Sequence, residues 1–400
     1  MKKNRIFAFF VPVFIVLFLI VGIIIFPNDS IIAAKEGLTI WTSVLIPSLL
    51  PFIIGANLIV ELKIVDIIGF IINPITRFIF NVSGKSALVF AISTVSGYPV
   101  GAKLASELRS NNQISHAEAQ RLVSFCSTSG PLFIIGSVAT GMFQNPTLGY
   151  LMIGCHYLGS ICVGLLFRNY GKESLSKPEY SLKNNIQNVI NTRYSSNEGF
   201  FVLFGNAVFS GVNTILAVGG FVIVFSVVFK VLSLFHIISL ISSIIYIPLS
   251  FLGFTKELCY AFISGFFEMT IGCNNVSHVA SSPEILKSVL ASFLIGFSGI
   301  SILAQCCNFL AKTDININLY ILSKFLHGTF AGLFTFLLYP LTKVTTLVSN
   351  FSTVYDLFYN NYIWIYYTNN YKIVIPLILI AYLISALFIF NKPNNKGFSK

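Results

Sequence analysis

The sequence predicts an all-α polytopic membrane protein made of two homologous, inverted halves with broken or re-entrant helices. Three observations carry this expectation. The 400-residue chain is 55% hydrophobic and only 10% charged, whereas soluble domains carry about 25% charged residues, and its mean hydropathy is +0.83. Uncharged runs such as Ile6 to Phe26 and Ile373 to Phe390 are long enough to cross a hydrocarbon core of about 30 Å. Finally, Ser96-Gly97-Tyr98 and Ser129-Gly130-Pro131 break apolar stretches, and the pattern returns as Ser264-Gly265-Phe266 and Ser298-Gly299-Ile300, 168 and 169 residues later. Gly-interrupted hydrophobic segments at matching places in two halves point to the binding site of a secondary transporter.

Region 1–30 reads as an N-terminal transmembrane helix. Its apolar run exceeds the roughly 7–15 residues of a signal-peptide core, and no small-x-small cleavage site follows. Lys2, Lys3 and Arg5 at one end and Lys392, Lys396 and Lys400 at the other place both termini in the cytoplasm by the positive-inside rule. Region 37–168 is the first repeat. It holds candidate segments near 38–60 (kinked by Pro47 and Pro51), 64–80, 86–108, 122–143 and 148–167. The stretch before Ser96 is too short to span alone. Region 169–198 is a basic, Asn/Ser-rich linker on the cytoplasmic side. Region 199–340 is the second repeat, with segments near 205–229, 231–251, 258–271, 286–310 and 319–339. Gly37 aligns weakly with Gly205 at the same offset of 168. The halves are inverted if an odd number of segments crosses between equivalent points, and the parity fails if a segment re-enters. Region 341–372 is rich in Tyr, Phe and Trp and reads as an interfacial loop on the outer side. Region 373–391 is the last transmembrane helix.

The breaks are where the chemistry is expected. Non-helical backbone survives at membrane depth only when buried in protein or lining a cavity. A broken helix presents a new N-terminus whose N–H groups and dipole attract anions. Ser96, Gly97, Tyr98, Ser127, Thr128, Ser129 and Gly130 in the first half, with Ser264, Gly265, Ser298 and Gly299 in the second, are the candidate substrate-binding residues. Hydroxyls among them donate or accept. Lys103 is added as a residue that attracts an anion or snorkels to the surface, and Glu268 as an intramembrane carboxylate that carries a proton or lines the path.

Other classes are excluded or disfavoured. The net charge of +11 is scattered at helix ends and in one loop, with no basic stripe, so nucleic acid is not a partner. The seven cysteines show no C-x-x-C spacing, and His156 and His327 are expected to be packed histidines, so neither metal nor cofactor is predicted. No phosphate-binding loop, H-E-x-x-H or G-x-S-x-G motif is present, so the chain is not read as an enzyme or an ATP-driven pump.

The run Ser96-Gly97-Tyr98-Pro99-Val100-Gly101-Ala102-Lys103, the connector with Ala117-Glu118-Ala119, and Cys126-Ser127-Thr128-Ser129-Gly130-Pro131-Leu132-Phe133-Ile134-Ile135-Gly136 together resemble the YlbJ/SpoVV family of sporulation integral membrane proteins. That family carries the nucleoside recognition, or Gate, domain, related in pattern to concentrative nucleoside transporters. The resemblance covers residues 6 to 340, with a more degenerate second half. It implies a role in endospore formation, residence in the outer forespore membrane, and dipicolinate, a small planar dicarboxylate, as the substrate. The expectation is therefore a sporulation transporter of a small anionic metabolite, with lipids as its other partners and homo-oligomerisation left open. A non-transporting scaffold for spore assembly and a nucleoside transporter are the alternatives.

Overall fold

A computed structural model describes residues 2–62, 64–171 and 199–340 of the chain. Most of the expected linker, the aromatic loop at 341–372 and the last helix at 373–391 lie outside the described residues. The chain divides into units Met1–Tyr339 and Pro340–Lys400, and the fold below is that of the first.

Among the described residues the secondary structure is helical throughout, as backbone in a bilayer requires. Helix α1 (Lys2–Ile25) meets α2 (Pro27–Ile40) at a 105° bend, where Pro27 starts the second helix as a first-turn proline can. A π-wound turn, Trp41–Leu45, leads into α3 (Ile46–Glu61), and α4 (Ile64–Phe80) follows. Then come α5 (Gly84–Ser96), α6 (Val100–Ser110), α7 (His116–Cys126), the π-wound α8 (Phe133–Met142) and α9 (Pro146–Phe167). The second half holds α10 (Phe200–Leu234), α11 (Ile237–Ser250), α12 (Lys256–Phe267), α13 (Met269–Ser277), α14 (Glu284–Phe297), α15 (Gly299–Leu310) and α16 (Ile317–Leu338). Among the described residues four spans are long and apolar enough to cross a membrane: α9, α10, α14 with α15, and α16; counting each sharply bent pair as one span raises the number to six. The segments expected near 205–229 and 231–251 do not divide at residue 230. Helix α10 runs unbroken for 35 residues, about 52 Å at 1.5 Å per residue, long enough to cross at a tilt. Phe201, Phe209 and Val224 stand exposed on it, as lipid-facing side chains would.

Two segments turn back on themselves. Helices α5 and α6 form a hairpin with its tip at Gly97, so that Gly101 packs against Ser93 on the facing helix. Helices α12 and α13 form a second hairpin with its tip at Glu268, where Gly272 and Gly265 face each other across the pair with no room for a Cβ. Each arm is 9 to 13 residues long, about 14–20 Å, half of a hydrocarbon core. The other two breaks lie inside longer paths, between α7 and α8 and between α14 and α15.

The element order repeats, and its register corrects the expected one. The hairpin tips Gly97 and Glu268, the helix ends at Ser127 and Ser298, and the side-chain caps Asn145 and Asn316 are each related by 171 residues, as are His156 and His327. The Ser-Gly pattern gave 168 to 169. Ser264 and Gly265 are helical, and the chain breaks three residues later, at Glu268. The alignment of Gly37 with Gly205 also falls, since Gly37 packs on Ile223 and Ser226 while a side chain at Gly205 would meet nothing. The packing follows the repeat. Helix α6 packs on α15 and α13 on α8, α7 on α16 and α14 on α9, and α9 packs on α16. Small residues permit the closest of these crossings: a Cβ on Gly296 would lie 2.7 Å from the Cα of Gly328. Close backbone approach of this kind drives helix association where lipid offers no hydrophobic gain.

Candidate functional site: four helix breaks around one cavity

All four breaks reach one cavity of about 90 Å³. The first hairpin tip contributes Ser96, Gly97 and Tyr98, and the α7–α8 break contributes Ser129, Gly130 and Phe133. From the second half come Glu268, Met269 and Thr270 at the other tip, with Ser301, Ile302 and Gln305 in the first turns of α15. Helix α10 and the start of α3 close the side with apolar groups, among them Val218, Phe221 and Leu49.

Local sequence explains these positions. Gly97 has φ +74°, and a Cβ there would sit 2.7 Å from the backbone nitrogen of Gly130, so only glycine lets the first tip touch the second break. Gly299 has φ +72°, and its Cβ would sit 2.9 Å from the Gly265 carbonyl and 3.0 Å from the Met269 nitrogen. Glu268 is extended, and its Oε2 accepts from the Ile271 N–H at 2.8 Å, capping α13. It is 2% exposed. Ser301 is 1% exposed, and its hydroxyl has no hydrogen-bond partner among the described residues. Helices α6, α13 and α15 begin at these breaks and α5, α12 and α14 end there, so dipole ends of both signs meet around the cavity.

The remaining sequence-predicted residues divide. Ser127 and Thr128 are buried behind the α7–α8 break. The Ser127 hydroxyl shares a 2.9 Å hydrogen bond with Tyr320, and Thr128 donates to the Ser93 carbonyl at 3.4 Å. Ser264 donates to the Ala261 carbonyl at 2.6 Å and accepts from Asn275 at 3.0 Å, inside the second hairpin. Gly265 packs on Leu294. Ser298 is buried with φ +77° and donates to the Phe297 carbonyl. These residues shape the breaks without lining the cavity. Lys103 is exposed and 3.9 Å from Glu107, one turn along α6; it lies outside the cavity lining. Glu118 serves the fold: its Oε1 accepts from the Ser83 N–H at 2.7 Å and the Ser86 hydroxyl at 2.6 Å, holding the start of α5.

Sequence reading missed Lys324, which is 0% exposed in the middle of α16. Its ammonium donates to the Tyr98 hydroxyl at 2.9 Å, to the Ser127 carbonyl at 2.7 Å and to His327 Nδ1 at 3.4 Å, and it lies 4.6 Å from the centre of the Tyr98 ring. Tyr98 passes its own proton on to the Ile295 carbonyl at 2.8 Å. His327 Nε2 donates to the His156 carbonyl at 2.8 Å, and His156 Nε2 accepts from the Ser129 N–H at 2.9 Å. The two rings, at equivalent places in the two halves, are 4.4 Å apart. One buried cation thus ties a hairpin tip, a helix break and α16 together. The signal was present in the sequence, as an ionisable residue inside a 22-residue apolar helix. The histidines are packed, as expected, yet packed within this network. A second, larger cleft of about 720 Å³ lies between α2, α10 and the second hairpin, lined in part by Lys35, Glu36, Lys230 and Asn274.

No group of three or more His, Cys, Asp or Glu side chains able to hold a metal occurs among the described residues. No protein-family model matches the chain, and no solved structure matches it. The chain is 39% identical over 330 residues to the sporulation integral membrane protein YlbJ of Bacillus subtilis (strain 168), a match covering 81% of each chain. With its apolar spans and this identity, the protein is a multi-pass integral membrane protein and belongs to the YlbJ family of sporulation integral membrane proteins.

Proposed function

We propose that this protein carries a small anionic metabolite, dipicolinate above others, across the outer forespore membrane during sporulation. The observation that supports the reading is the meeting of four helix breaks at one cavity. A scaffold has no need of a cavity where broken helices meet at membrane depth, where unpaired backbone is costly. Helix N-termini and hydroxyls suit a carboxylate without a fixed positive charge in the wall.

In this reading the halves are inverted. A hairpin that turns back adds no crossing, and the second half then has three full spans, α10, α14 with α15, and α16. Three is the odd number that inversion needs. Glu268 is the coupling group. A carboxylate in the wall repels an incoming anion, so a proton enters on Glu268 with the substrate. The substrate site comprises the wall residues Ser96, Gly97, Tyr98, Ser129, Gly130 and Glu268, with Ser127, Thr128, Ser264, Gly265, Ser298 and Gly299 shaping the backbone around them. Lys103 acts from the surface, by attracting the anion.

Uptake of labelled dipicolinate into vesicles containing the purified protein tests this. Saturable uptake, uncompeted by nucleosides, is expected. Folded protein that takes up nothing would sink the transport reading. Competition by a nucleoside would replace dipicolinate with that class.

A further inference from the structure

We propose that Lys324 is a carboxylate subsite behind the cavity wall, shielded by Tyr98, and that it sets the preference for a dicarboxylate. The proposal rests on the transport reading above and extends its site to a residue outside the cavity lining.

Hydrogen-bond direction sets what the Lys324 amine faces. Tyr98 spends its one proton on Ile295 and His327 spends its Nε2 proton on His156. Both therefore present acceptors to Lys324, and the Ser127 carbonyl is a third. Three acceptors match the three hydrogens of an ammonium group. No carboxylate lies within 4.0 Å of this cation among the described residues. The titratable groups facing it from the packed elements are Tyr98 on the tip, Tyr320 and His327 on α16, His156 on α9, Cys126 on α7 and Cys306 on α15. None of them is a carboxylate.

A buried cation left with neutral ligands is a place for an anion. Tyr98 is both a wall of the cavity and a ligand of the ammonium, so one side chain separates Lys324 from the substrate space. It stands at the hairpin tip, next to Gly97 at φ +74°, where the backbone turns. A substrate carboxylate is a stronger acceptor for an ammonium than a phenol. As the tip moves, the carboxylate takes the position of the Tyr98 hydroxyl. The second carboxylate then faces the start of α15, where the unpartnered Ser301 hydroxyl waits.

Calorimetric binding to the purified protein tests this, with three probes: dipicolinate, picolinate with one carboxylate, and the uncharged pyridine-2,6-dicarboxamide. Lys324→Gln is expected to weaken dipicolinate at least tenfold, picolinate less, and the diamide not at all. Tyr98→Phe removes the competing acceptor and is expected to tighten dipicolinate about threefold or more relative to the diamide. Unchanged dipicolinate binding in folded Lys324→Gln overturns the proposal. Should Lys324→Gln not fold, Tyr98→Phe decides, and dipicolinate binding that is unchanged or weaker overturns it. Failure of the parent protein to bind any of the three probes overturns the transport reading itself, a separate outcome.

Discussion

The two hairpins occupy equivalent places and solve the same problem differently. The first turns on Gly97, whose positive φ and contact with Gly130 demand glycine at the tip itself. The second turns on an extended Glu268 and places its glycines inside the arms, as the facing pair Gly265 and Gly272. The first tip is neutral and backed by the buried cation Lys324 through Tyr98. The second carries a buried carboxylate into the cavity. A repeated fold thus becomes chemically asymmetric: a buried amine stands behind one tip and a buried carboxyl group at the other.

The largest effect is expected where the first tip leaves no room. Gly97→Val adds backbone strain and a clash with Gly130, together about 3 kcal/mol or more, and uptake should vanish. Thermal unfolding in detergent measures the loss. Gly154→Ala is the control, since a Cβ there meets nothing within 4 Å; it should hold or gain about 0.5–1 kcal/mol, as alanine does in a helix. Next comes the charge of the second tip. Glu268→Gln keeps an oxygen to cap Ile271, so stability should change by about 1 kcal/mol or less. Uptake should lose its dependence on a proton gradient and fall about tenfold or more. A variant that still follows the gradient would remove Glu268 from the coupling step.

The smallest effect lies at the foot of the first hairpin. Arg109 grips Asp314 through two hydrogen bonds of 2.8 and 2.7 Å, joining the last turn of α6 to the turn before α16. The guanidinium holds the Asp314 carboxyl below its ordinary range. The pair therefore contributes above the unfolded carboxyl value of about 3.9 and fades as pH falls through the lower folded value. It is half-exposed, so Asp314→Asn should cost about 1 kcal/mol or less at neutral pH, less still at high salt. The variant should also flatten the acid limb of the stability profile. An acid limb identical to that of the parent would assign it to other carboxylates.

How far the sequence could be read depended on where glycine did its work. The membrane class follows from composition, because a bilayer forces apolar side chains outward. The breaks at Gly97, Gly130 and Gly299 were legible because glycine sits at the break itself. Ser264-Gly265 misled, because that glycine serves helix packing and the true tip carries none. This moved the repeat by three residues, nearly one helical turn, and a weak alignment at Gly205 followed it. Lys103 is near the first break in sequence, while the turn of α6 carries it outward. Lys324 lies 226 residues from Tyr98, and only tertiary folding brings them together.

His156 and His327 touch at equivalent positions, so the line exchanging the two halves passes between their rings. The contact between α9 and α16 thus belongs to both halves alike. The hydrogen bond from His327 to the His156 carbonyl joins the two halves where each presents the same residue type to the other.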